Sequence, residues 1–79
     1  MKKKSNLFKP VDIEQKLKEI GVKIKAERKV VNKNYEKFAI ENHINKVTLF
    51  RIETGDNYKI SSLLQVLNAI GISIEDLLK

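Results

Sequence analysis

Cysteine is absent from this chain and histidine occurs once. Without thiols there is no disulfide framework, no thiolate nucleophile and no Cys-based zinc site, which fits a reducing compartment. His43 alone cannot hold a metal without partners, so no metal or other cofactor is expected. No apolar run approaches the roughly 20 residues that span a bilayer. Met1-Lys2-Lys3-Lys4 is not followed by the apolar core of a signal peptide, and the expected location is cytoplasmic, with no membrane partner. Period-2 alternation over more than a few residues is missing as well, which argues against strands. One histidine and scattered carboxylates assemble neither an acid–base pair nor an activated nucleophile, so an enzyme is not expected.

What is present is positive charge and helical periodicity. The 79 residues carry a formal net charge of +6. They make one small domain, near the lower limit at which an apolar core holds itself together without staples. Fourteen of the 16 Lys and Arg lie at or before Arg51, against six of the 10 Asp and Glu. The positive field therefore belongs to the first two thirds. Such an asymmetry favours a polyanionic partner, although lysine-rich surfaces also serve solubility. Apolar residues recur at spacings of three and four throughout, which predicts an all-α fold.

Residues 1–11 are basic and polar and read as a flexible N-terminal arm; residues 12–79 read as the folded domain. Asp12 with Gln15 forms a capping-box pattern at the start of a first helix. Ile13, Leu17, Ile20 and Ile24 make its apolar stripe, which Arg28 continues one turn further. Gly21 interrupts that helix and either permits close packing or marks weakness. Asn32 is expected to close it in a left-handed conformation, and Asn34 to cap a second helix from Tyr35 to about Asn42 that buries Phe38 and Ala39. His43 tolerates positive φ in the turn, Ile44 plugs the core, and Asn45 caps a third helix that ends at Thr54-Gly55. Ser61 or Ser62 is expected to cap a fourth helix burying Leu63, Val66, Leu67 and Ile70, with Gly71 closing it. Ser73-Ile74-Glu75-Asp76 opens a short fifth helix containing Leu77 and Leu78.

The third helix carries the functional signal. At 100° per residue, Leu49, Ile52 and Glu53 fall on one side, while Lys46, Val47, Phe50 and Arg51 occupy the opposite arc. Glu53 is the natural partner for Arg28, since an unpaired buried charge is very costly. The outward arc interleaves cations with apolar side chains. Lys and Arg donate to guanine N7 and O6, and apolar groups contact the thymine methyl, so this arc has the chemistry to read a major groove.

The run Phe38-Ala39, Ile44, Leu49, Arg51-Ile52-Glu53, Gly55 resembles the helix-turn-helix of the lambda-repressor-like (Cro/repressor, Xre) family. Members carry Leu-Ala, Gly-Val, Ser/Thr and Ile-Ser-Arg-Ile-Glu-x-Gly at this spacing. The likeness extends upstream through Ile24 and Arg28, and downstream through Leu63, Val66, Ala69-Ile70-Gly71-Ile72-Ser73 and Leu77-Leu78. It implies a compact five-helix DNA-binding domain of bacterial or phage origin, associated with the nucleoid. Such a domain would act as a small transcriptional regulator by occupying an operator as a homodimer on double-stranded DNA. Carried over residue by residue, it implies base contacts from Lys46, Val47 and Arg51, with Phe50 at the edge of the reading face. Phosphate contacts would come from Asn34, Tyr35, Asn45, Thr48, Thr54 and the loop after Gly55, Lys59 included, and Arg28 with Glu53 would form a structural ion pair. The chain departs from the family pattern at Lys33, Tyr35, Asn42, His43 and Tyr58, where members usually have a hydrophobic residue, Gln, a hydrophobic residue, Gly and often a nearby Pro. The alternative use of such a domain is as an antitoxin or adaptor that binds a protein partner through Phe50, Ile40 and Leu78.

Overall fold

The computed structural model describes residues 12–78, so the basic segment 1–11 lies outside the described residues. Five helices follow one another: α1 (Ile13–Val31), α2 (Tyr35–Glu41), α3 (Lys46–Thr54), α4 (Ile60–Ile70) and α5 (Ile74–Leu78). No strand occurs among the described residues, and the all-α class expected from the periodicity is what the chain adopts.

The Asp12 carboxylate accepts from the Gln15 backbone N–H at 3.0 Å, starting α1. Only this half of the capping box forms, because the Gln15 side-chain amide donates instead to Glu19. Ile24 is buried and Ile20 packs against the core, but Ile13 is 67% exposed. The apolar stripe therefore engages the core only after the first turn of α1.

Gly21 sits where α1 meets α3. A Cβ built on it would lie 2.6 Å from the Glu53 carbonyl oxygen and 2.7 Å from that of Ile52, so the two backbones touch there and no larger residue fits. Of the two roles open to this glycine, close packing is the correct one.

Asn32 does not adopt the left-handed conformation expected of it. Its φ of −159° and ψ of 122° are extended. A left-handed cap would bend the chain so that its own N–H groups close the last carbonyls. Here the Arg28 guanidinium donates to the Asn32 and Lys33 carbonyls, and the chain bends at Lys33, where the Asn32 side-chain oxygen accepts from the Asn34 N–H at 2.9 Å. There the Asn34 side chain accepts from the Lys37 N–H and opens α2.

Phe38 and Ala39 face inward from α2, and His43 turns the chain with φ of +57°. Ile44 donates its N–H to the Ala39 carbonyl at 2.8 Å and buries its side chain in the corner between α2 and α3. The Asn45 side-chain oxygen accepts from both Val47 and Thr48 N–H groups, which fixes the start of α3. Gly55 ends α3 with φ of +83°, in contact with the α1 backbone at Lys18.

The expected serine cap of α4 is replaced by Lys59, which makes no side-chain cap bond; Ser61 and Ser62 fall inside the first turn. Leu63, Val66 and Leu67 are buried, and Gly71 closes the helix. The Ser73 hydroxyl accepts from the Asp76 N–H at the start of α5, whose Leu77 completes the core.

Candidate nucleic-acid interface

The exposed arc of α3 follows from what its other side buries. Leu49 and Ile52 are fully buried, and this fixes the rotation of the helix about its axis. Val47 is then 57% and Phe50 56% exposed, with Lys46 and Arg51 also at the surface. All four residues predicted to contact bases thus stand together on one ridge. The Arg51 side chain makes no hydrogen bond or ion pair with another described residue. Lys46 is different: its Nζ donates to Glu36 Oε2 of α2 at 2.8 Å. That hydrogen bond raises the Lys46 pKa and lowers that of Glu36 from their ordinary values.

The ridge is held from behind by a buried fork. Arg28 Nε donates to Glu53 Oε2 at 2.8 Å and Nη2 to Oε1 at 2.9 Å, with the two side chains only 4% and 7% exposed. The carboxylate raises the Arg28 pKa above its already high value, so the guanidinium stays charged. The predicted pair between the first and third helices is therefore present. It is internally neutralised and contributes orientation rather than net charge.

A recess lies on each flank of the ridge. One, of about 280 Å³, is lined by Thr48, Arg51, Asn57, Tyr58, Lys59 and Ser62. The other, of about 260 Å³, is lined by Lys25, Lys33, Tyr35, Phe50 and Thr54 over the Arg28–Glu53 pair. Each recess carries two surface cations, Arg51 with Lys59 and Lys25 with Lys33. Burial raises the Tyr58 phenol above its ordinary pKa, which keeps it an uncharged hydrogen-bonding group.

The residues expected to meet phosphates are distributed over this surface. Asn34 and Asn45 use their side-chain oxygens as caps, which leaves their NH₂ groups as donors. Thr48 and Lys59 share the first recess. Tyr35 is half-buried, its ring centroid 5.8 Å from the Arg28 guanidinium carbon. The Thr54 hydroxyl donates to the Phe50 carbonyl at 2.8 Å, so its proton is engaged within α3. The sequence pattern does not single out Glu36, Lys25 or Ser62, whereas Asn57 belongs to the loop after Gly55 that is expected to meet phosphate. Helical spacing relates residues on one helix, and the three that it misses reach the surface from neighbouring helices.

The described residues include no group of three or more His, Cys, Asp or Glu able to hold a metal, and no helix among them is long and apolar enough to cross a membrane. His43 is an exposed turn residue whose carbonyl accepts from the Gln65 side chain. Comparison with known proteins returns no matching family model, no similar curated protein and no similar solved structure.

Proposed function

We propose that this domain binds double-stranded DNA sequence-specifically and acts as a small transcriptional regulator by operator occupancy, in the manner of the lambda-repressor-like family that its sequence resembles. The observation that carries the reading is the α3 ridge: cations and apolar side chains interleaved on a helix locked from behind, with a basic recess on either side. A major groove admits one α-helix and is bordered by two phosphate strands, so a ridge between two cationic recesses matches its cross-section.

In this reading Arg51 donates two hydrogen bonds to guanine O6 and N7, and Val47 packs on a thymine methyl. Phe50 meets the edge of the neighbouring pair. Lys59 and Thr48 contact the strand on one side; Asn34, Asn45 and the lysines of the second recess hold the strand on the other. One small domain makes too few contacts to specify a genomic address, so two copies are expected on a near-palindromic site, their reading helices about 34 Å apart.

Selection of bound sites from random duplexes tests the proposal. A two-fold motif should be enriched, and Arg51→Ala should cost about 1–3 kcal/mol at that site while relaxing one base pair per half-site. Val47→Ser should act likewise at a thymine, with a smaller penalty. A motif unchanged by both substitutions would remove α3 as the reading helix.

A second reading, an antitoxin or adaptor docking a protein, is favoured by Phe50 together with Ile40, which is 75% exposed on α2. Phe50→Ala separates the two. A DNA reader loses discrimination beside the Arg51 contact, whereas an adaptor keeps its DNA behaviour and loses its partner.

A further inference from the structure

Lys46 is the one member of the reading ridge that already has an ionic partner. Glu36, the second residue of α2, reaches across the corner to Lys46, the first residue of α3, with both side chains more than half exposed. This places a carboxylate beside the ridge of a domain whose proposed ligand is a polyanion. Resting on the DNA-binding reading above, we infer that Glu36 is a specificity-determining residue: it restrains Lys46 so that the ammonium serves a base edge and not an arbitrary phosphate.

Donor number and charge decide where the ammonium is directed. An ammonium has three N–H donors. It can keep one on Glu36 and direct the others to guanine N7 and O6, which are uncharged acceptors that a neighbouring carboxylate does not repel. A phosphate is different. For Lys46 to contact one while paired, the Glu36 carboxylate must come within a few ångströms of a second full negative charge, and like charges at that distance oppose the contact. Otherwise Lys46 must give up its partner. Non-specific binding rests almost entirely on phosphate contacts, so Glu36 weakens binding at random sequence more than at a site offering guanine to Lys46. The residue lowers gross affinity and raises the ratio between correct and incorrect sites.

The test compares Glu36→Gln with Glu41→Gln, which removes the same charge from the exposed far end of α2. Glu36→Gln is expected to tighten binding to random duplex about two- to fivefold, the range of an exposed ion pair. It should also steepen the dependence of log K on log salt by up to about 0.9, the value for one additional phosphate neutralised. Affinity for the selected site should rise less, and Glu41→Gln should change the ratio little. In a Lys46→Ala background the effect of Glu36→Gln on the ratio should vanish, because it acts through that ammonium. Unaltered thermal unfolding of the single variants establishes that the fold is intact. Equal effects of the two glutamate substitutions, or an effect that persists without Lys46, would overturn the inference while leaving DNA reading in place. If the unsubstituted domain enriches no motif, the DNA reading itself fails and this inference falls with it.

Discussion

The Arg28 guanidinium directs its donors two ways, as a fork to Glu53 and as single bonds to the Asn32 and Lys33 carbonyls. Its position on the apolar stripe of α1 explains why it needs a carboxylate; burial of both side chains explains what removing one would do. Glu53→Ala leaves a charged group buried without a counterion and should destabilise the domain by about 3–5 kcal/mol in chemical denaturation. Replacing both, Arg28→Met with Glu53→Leu, should recover most of that deficit, because neither charge is then stranded. A Glu53→Ala protein as stable as its parent would show that water reaches the guanidinium. Arg51, only two residues earlier on α3, has no such role in the interior, and its substitution should leave stability within error.

Among the helices, the packing of α1 on α3 is set by backbone proximity as much as by side chains. Gly21→Ala improves helix propensity by up to about 1 kcal/mol in isolation. Here the added methyl meets two carbonyl oxygens of α3 at under 3 Å, so the helices must separate. The net effect should be destabilising by about 1–3 kcal/mol, the range for overpacking, and should appear as a lowered urea midpoint. The sequence shows which face of each helix is buried, because burial obeys the 3.6-residue period: Phe38, Leu49, Ile52, Leu63 and Val66 all face inward as their spacing requires. Caps that act within four residues are equally legible at Asn34, Asn45 and Ser73. Local pattern fails where a competing interaction decides. Asn32 stays extended, its own N–H bonded to the Arg28 carbonyl and its side-chain oxygen engaged by the Asn34 N–H, and α4 begins at Ile60 without a serine cap. The ridge itself is legible for the same reason as the core. Its neighbours Glu36 and Lys25 are not, since they are brought there by the angles between helices.

For the molecule as a whole, charge is arranged as the sequence already divides it, with Lys and Arg concentrated at or before Arg51. Lys2, Lys3, Lys4 and Lys9 belong to the segment outside the described residues. If the domain binds DNA as proposed and this segment only attracts phosphates, deleting residues 1–9 should weaken binding to every duplex alike and flatten the salt dependence by at most about 0.9 for each phosphate that is no longer neutralised. Weakening confined to one sequence would mean instead that the segment reads bases, as minor-groove arms do. The joint between α1 and α3 also governs how the fold opens. Lys18 at Gly55, Gly21 at Glu53 and Arg28 at Glu53 are three successive points along α1, with Ile24 fully buried between the last two. No one of them can part without the others, so amide protons from Ile24 to Arg28 should exchange with solvent deuterium only when the entire chain unfolds, with the denaturant sensitivity of global unfolding. Lys16, whose N–H is bonded to the Asp12 carbonyl in the exposed first turn, should exchange by fraying, with almost no denaturant sensitivity. The boundary between those two regimes, read residue by residue along one helix, marks where the cooperative unit begins.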